Sequence, residues 1–285
     1  MLSAEQIDRF HSEGYLVIEQ AVTAQQLAGL ADDFNRWVDE SRAHKDSYGE
    51  CASGRPRFDL QPGHTAETPG LRRVTCPSEI SDAYYDVVRN SAVPDAVAQL
   101  IGPNIKFHHC KTNSKLPGTK TEVKFHQDFL YAPHSNDSLI TCLIFVDDVT
   151  LDNGPLEVVP GSHKGPFYPL WHDSVFTGAI DEEVAASLKG KTVPCVGPAG
   201  SACLMHTRLL HGSGVNNSPD PRTLFIVIYT AEDSIRLSPN PLPNKFEGEI
   251  IRGEKTNRVR CTSYEMEIPA MPTGASFFSQ QAGKA

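Results

Sequence analysis

The stretch between positions 105 and 231 most constrains the fold. Short apolar segments recur at 105–110, 123–131, 139–146, 156–159, 192–196, 202–206 and 222–231. Explicit turns part them, among them Leu116-Pro117-Gly118, Asp152-Asn153-Gly154-Pro155 and Gly197-Pro198-Ala199-Gly200. β-Branched and aromatic runs bounded by Gly, Pro and Asn are strand signals. Most of these segments lie too close together for a helical crossover, which parallel neighbours require. The pattern therefore predicts an antiparallel sandwich or barrel of jelly-roll type, mainly β with flanking helices. One helix, near 181–188, interrupts the series.

The preceding hundred residues read differently. Ser3-Ala4-Glu5-Gln6 and Thr23-Ala24-Gln25-Gln26 are capping-box patterns, each opening a helix. In the second helix Leu27, Leu30, Ala31, Phe34, Trp37 and Val38 recur at helical spacing. Between them 15–18 reads as a strand, and 80–100 reads as helix broken near Pro94. From 41 to 77 the chain is polar and interrupted by Gly and Pro, the texture of a lid or binding loop. The expectation is a single domain: a helical N-terminal part over about 1–101, a jelly-roll core over about 102–232 and a C-terminal wrap over 233–285.

A chain of 285 residues with 39% hydrophobic content can bury a sizeable core. Its formal net charge of −9 disfavours nucleic acid or an anionic membrane surface as partner. No apolar run approaches a bilayer span, and the N-terminal residues do not read as a signal peptide. Seven scattered Cys without Cys-x-x-Cys spacing read as thiols in a reducing compartment. The expected location is cytoplasmic.

Chemistry concentrates at Lys124-Phe125-His126-Gln127-Asp128-Phe129. In an extended strand, side chains at i and i+2 share a face, so His126 and Asp128 project together. An imidazole and a carboxylate completed by a second His make the facial triad of non-haem Fe(II), which leaves positions open for substrates. The candidate third ligand is His211, on a later strand. Arg222 follows and opens the apolar run Thr223 to Tyr229. A guanidinium beside such a metal suits a dicarboxylate cosubstrate, gripped at its far end by a two-pronged charged hydrogen bond. Singly, His211 could be a turn histidine and Arg222 a strand-end charge; it is their joint order that points to a site. His108 and His109 are adjacent and should face opposite ways on a strand, so they do not form a competing site. His134, His163, His172 and His206 read as surface or supporting groups.

Ile101-Gly102-Pro103-Asn104-Ile105, Phe125-His126-Gln127-Asp128, the run from Asn153 to Gly165 (with Val159-Pro160-Gly161-Ser162-His163) and His211-Gly212-Ser213-Gly214 together resemble the phytanoyl-CoA dioxygenase family. The resemblance runs from about 71 to 229 and implies a double-stranded β-helix using Fe(II), 2-oxoglutarate and O2. It implies His126, Asp128 and His211 as ligands and Arg222 on the cosubstrate carboxylate. By the same resemblance Ser213 should bond that carboxylate end, and Arg73 falls where a basic residue near the cosubstrate is common. The loop 111–124 is shorter than in the phytanoyl-CoA enzymes, and no run of basic residues suits CoA phosphates. The expected reaction is oxidation of an aliphatic C–H of a small-molecule substrate, of natural-product or lipid-like type, with release of succinate and CO2. Three other readings compete. A halogenase needs the carboxylate ligand replaced, and Asp128 is present. A non-catalytic binding protein would have lost ligands that here are intact. A cupin-like Zn or Mn isomerase leaves Arg222 unexplained.

Overall fold

The computed structural model describes residues 1–118 and 121–271. Helix α1 (Ala4–Glu13) and helix α2 (Ala24–Ser41) each begin with a complete capping box, at Ser3 and Thr23. Strand β1 (Tyr15–Ile18) lies between them. The expected irregular segment contains three strands, β2 (Tyr48–Glu50), β3 (Pro56–Leu60) and β4 (Leu71–Thr75). Helices α3 (Asp82–Asn90) and α4 (Ala92–Ile101) follow. The break between them is at Ser91, whose hydroxyl caps α4, and Pro94 sits harmlessly in the first turn of that helix.

The remaining strands are β5 (Ile105–Lys115), β6 (Val123–His126), β7 (Leu139–Phe145), β8 (Leu156–Val158), β9 (Trp171–His172) and β10 (Val175–Phe176). After helix α5 (Glu182–Ser187) come β11 (Val193–Cys195), β12 (Ala202–His206), β13 (His211–Ser213), β14 (Arg222–Ala231) and β15 (Ile250–Arg252). A large antiparallel sheet runs in the order β1-β12-β7-β14-β5-β4-β3-β2, with β15 also on β5. A smaller sheet runs β11-β8-β13-β6. The protein is thus mainly β with flanking helices, a double-stranded β-helix. The part expected to be helical supplies four strands of the large sheet. The expected wrap extends beyond the described residues from 272 onward.

Strand β14 shows why the sheets and helices pack as they do. Successive side chains alternate faces, and both faces of this strand are buried, so the run from Leu224 to Tyr229 is apolar. Phe225, Val227 and Tyr229 enter the core under the helices, with Leu30, Trp37, Tyr84 and Val97. Leu224 and Ile226 enter the core between the sheets, with Leu143, Leu156, Val158 and Met205. Tyr229 satisfies its buried hydroxyl by donating to the Val88 carbonyl at 2.7 Å.

Strands β2 to β4 escape sequence reading because their alternation is disguised by ion pairs. Phe58, Leu60, Leu71 and Val74 are buried. Between them, Arg57 pairs with Glu79 at 2.7 Å and Arg72 with Asp59 at 2.7 Å. No helix among the described residues is long and apolar enough to cross a membrane. None of the seven cysteines forms a disulfide, and six are buried.

Phe225 is fully buried and meets Tyr84 edge-on at 4.7 Å between ring centroids. Phe225→Ala should lower unfolding free energy by about 3–5 kcal/mol. Leu151, which is 69% exposed, should change stability by less than about 0.5 kcal/mol when replaced by Ala. Urea midpoints at unchanged slope measure both.

Candidate active site

Strands β6 and β13 pair so that His126 stands opposite His211. Each imidazole is oriented by a backbone carbonyl two residues earlier: Nδ1 of His126 lies 2.8 Å from the Lys124 oxygen, and Nδ1 of His211 lies 2.8 Å from the Leu209 oxygen. A carbonyl only accepts, so both Nδ1 atoms carry a proton and both Nε2 atoms are turned toward the site. Those Nε2 atoms lie 3.4 Å and 3.6 Å from one oxygen, Oδ1, of Asp128. The three donor atoms fall within 4.8 Å of one another.

Asp128 is not on the strand as expected. Strand β6 ends at His126, and Asp128 opens a 3-10 turn. The linking residue Gln127 keeps extended backbone, with φ −119° and ψ 124°. Asp128 therefore still projects beside His126. Gln127 points the other way and is fully buried, donating to the Arg208 carbonyl at 2.7 Å and accepting from the Tyr168 amide at 3.0 Å. It pins the link between the two groups. On the far side of the carboxylate, Thr141 donates to Oδ2 at 2.7 Å.

Electrostatics match a cation site. Burial, and the neighbouring His211, push the His126 imidazole below its usual range. Burial works against the Asp128 carboxylate, yet the charge and hydrogen bonds of His211 and His126 hold it well below its ordinary value. Two imidazoles and a carboxylate form a ligand set that suits a divalent first-row metal.

The three groups sit where two cavities meet. The first, about 730 Å³ with its open mouth, is lined by His126, Asp128, His211 and the apolar walls of Leu143, Leu156, Met205, Leu224 and Ile226. Its polar lining includes Arg222, Ser213 and Lys115. Arg222 donates to the Gly154 carbonyl at 2.6 Å, while its buried Nε has no acceptor. Gly154, at φ +71°, cannot be replaced without intrusion: a Cβ there would stand 2.7 Å from the Gly214 carbonyl. Burial pushes the Arg222 guanidinium down to about 10. Lys115 donates to Ser213 Oγ at 2.7 Å and to the Gly214 carbonyl. Burial, and then Arg222, push Lys115 down to about 7.

The second cavity, about 560 Å³, shares His126, Asp128 and Lys111 with the first. Arg73 lines this cavity, whereas Arg222 and Ser213 line the first. His109 also lines it. The alternation expected for His108 and His109 fails because β5 bulges where Ile228 pairs with His109 and Tyr229 with Phe107. Their Nδ1 atoms consequently meet at 2.6 Å. Among the described residues, neither they nor His134, His163, His172 and His206 belong to the metal-competent group.

The phytanoyl-CoA dioxygenase (PhyH) family model matches residues 10–224. The chain is 30% identical, over 93% of its length and 92% of the relative's, to a probable alpha-ketoglutarate-dependent hypophosphite dioxygenase of Stutzerimonas stutzeri. The chain belongs to the phytanoyl-CoA dioxygenase family. Another relative in this family, an L-proline trans-4-hydroxylase of Streptomyces griseoviridis, is 29% identical over 61% of the chain and 71% of its own length. Among solved structures, EctD from S. alaskensis with 2-oxoglutarate and 5-hydroxyectoine has a TM-score of 0.65 at 23% identity. That match covers 95% of this chain and 89% of that one. This member of the family is an Fe(II)- and 2-oxoglutarate-dependent dioxygenase.

Lys115, Thr141, Lys111 and Arg55 carry no sequence signal of their own. Only the β5 alternation, which puts 109, 111, 113 and 115 on one face, would have brought two of them forward.

Thr141 fixes the carboxylate that both imidazoles face. Thr141→Val should weaken Fe(II) binding by about ten- to a hundredfold without unfolding the protein. Anaerobic metal titration of parent and variant measures it, and equal affinities would remove Thr141 from that role.

Proposed function

We propose that His126, Asp128 and His211 hold Fe(II), and that Arg222, assisted by Ser213, anchors the far carboxylate of 2-oxoglutarate in the first cavity. The observation that carries this reading is the placement of a buried, partly unpartnered guanidinium in the same apolar chamber as a metal-competent triad. A five-carbon diacid suits such a chamber: one end chelates, and the other meets a fixed fork of donors. Lys115 adds a second cation beside Ser213. Bound together, iron, 2-oxoglutarate and O2 supply the oxidising power, yielding succinate and CO2 and placing one oxygen atom on the substrate.

The chain's own residues do the remaining work. The two backbone carbonyls hold each imidazole in one tautomer, and Thr141 leaves a single carboxylate oxygen facing both rings. The apolar walls exclude water and strengthen the charged contacts of Arg222. Relatives named for hypophosphite, proline and ectoine support a small polar substrate, and one named for phytanoyl-CoA supports the lipid-like type. Seven cysteines without a disulfide support a reducing, cytoplasmic location.

Removing metal with a chelator should abolish turnover. Fe(II) should restore it, and Zn(II), which fits the same donors without redox chemistry, should inhibit. Succinate release with candidate substrates is the assay, and chelator-resistant activity would refute the reading.

Arg222→Ala would leave a buried carboxylate without its charged partner, a loss of about 3–5 kcal/mol. At about 1.4 kcal/mol per decade, 2-oxoglutarate affinity should fall by roughly two to three and a half decades. Fe(II) binding should survive, and Arg222→Lys should fall between. Anaerobic titration of 2-oxoglutarate, followed by the metal-to-ligand charge-transfer band, measures it.

A further inference from the structure

The second cavity has a charge pattern that the cosubstrate does not explain. Arg55, Arg73 and Lys111 line it beside His109, whose imidazole burial pushes down to about 3, and among its described lining residues Asp128 is the only acid. The protein as a whole carries a net charge of −9, so this concentration of cations does not follow from composition.

Arg73 is central to the pattern. It is 3% exposed, its Nε has no acceptor, and among the described residues it forms no ion pair. The acid opposite it in the β3–β4 register is Asp59, whose two oxygens are taken by Arg72 at 2.7 Å and 3.3 Å. Across the other edge of β4, Arg73 pairs with Asn113 and Thr75 with Lys111. Lys111 and Asn113 are two apart on β5, so Lys111 is a diagonal neighbour of Arg73 on the same face. Burial and Arg73 push the Lys111 ammonium down to about 8. A buried guanidinium whose Nε has no acceptor is costly, and an anion that meets it lowers that cost.

The rest of the lining limits what that anion carries. Ala132, Ile228, Pro241 and Leu242 offer an apolar wall, and Tyr131, whose ring meets His126 edge-on at 5.6 Å, stands near the metal ligands. A long lipid chain would leave Arg73 unmatched, and an inorganic ion would leave the apolar wall unused.

We propose that the second cavity is the substrate site and takes a short aliphatic molecule with a compact oxyanion head, held by Arg73 with Arg55 and Lys111. This rests on the Fe(II)/2-oxoglutarate reading above. The head lies on the β4–β5 wall, and the aliphatic C–H next to it lies toward His126 and Asp128. One oxygen atom of O2 enters that C–H bond to give an alcohol; the other enters succinate, and the cosubstrate loses CO2. Three cations around one head favour a doubly charged tetrahedral group such as a phosphonate over a carboxylate.

The test is calorimetric titration of Fe(II)- and 2-oxoglutarate-loaded protein without oxygen, using ethylphosphonate, propionate, inorganic phosphate and 1-propanol. Ethylphosphonate should bind tightest, propionate more weakly, and 1-propanol at least about a hundredfold more weakly than ethylphosphonate. Phosphate binding as tightly as ethylphosphonate would support the oxyanion site and assign the head alone as the ligand. Arg73→Gln should weaken ethylphosphonate by about a hundredfold and leave 2-oxoglutarate affinity unchanged. Lys111→Met serves as a second variant, with a smaller loss expected, should Arg73→Gln fail to fold. Equal binding of propanol and ethylphosphonate, or full ethylphosphonate affinity in both variants, would overturn the proposal. Failure of the underlying reading shows separately, as a parent protein in which 2-oxoglutarate raises no charge-transfer band with Fe(II).

Discussion

The pairing of β6 with β13 is the constraint on which the site depends. It sets His126 against His211 across two strands, at a ring separation of 4.2 Å. Once that register is set, one extended residue brings Asp128 between the two Nε2 atoms, and a slip of one position would turn the imidazoles to opposite faces. Strand β13 is only three residues long, yet it is clasped on both sides, by β6 and by β8. The smaller sheet thus serves mainly to hold ligands in register, while the larger sheet supplies the core and the cavity walls.

Much of this was legible because the burial pattern is simple where the sheet is sandwiched. Strand β14, apolar from Leu224 to Ile228 and buried on both faces, is found at the positions expected. The triad and Arg222 were legible through spacing on strands. Strands β2 to β4 were hidden because their polar positions are not solvent-facing but paired, Arg57 with Glu79 and Arg72 with Asp59. A period-two pattern of apolar and polar residues is blurred when the polar face is also buried. Strand β13 was legible only through His211: His-Gly-Ser has no strand former, and its pairing comes from neighbours far away in the chain. The bulge in β5 defeated the alternation rule at His108 and His109, since it adds a residue that no local composition announces. The basic cavity was illegible because Arg55, Arg73 and Lys111 come from three separate segments, and only the sheet order brings them together.

Burial and function trade against each other in both cavities. Arg222 and Arg73 are each charged groups deep in the protein, each with a donor lacking an acceptor. Such groups are costly in the free protein, and a bound anion lowers that cost. Ligand binding therefore stabilises the fold as well as positioning the reactants, by the linkage that governs any ligand selective for the native state. The apolar packing of β14 and β7 against the helices offsets that expense.

Strand β5 has a consequence for how such a protein diversifies. Its inward positions run His109, Lys111, Asn113 and Lys115, a distance of about 20 Å along one strand. The first two border the second cavity and the last three the first, with Lys111 common to both. One rigid rod thus carries two vocabularies, one at each end. Changes at 109, together with 55, 73, 241 and 242, rewrite what is accepted in the second cavity, while the machinery at 115, 213 and 222 stays as it is. A fold arranged this way can exchange one reactant for another over evolutionary time and keep a single oxidative engine, and Lys111 is the residue at which the two selections meet.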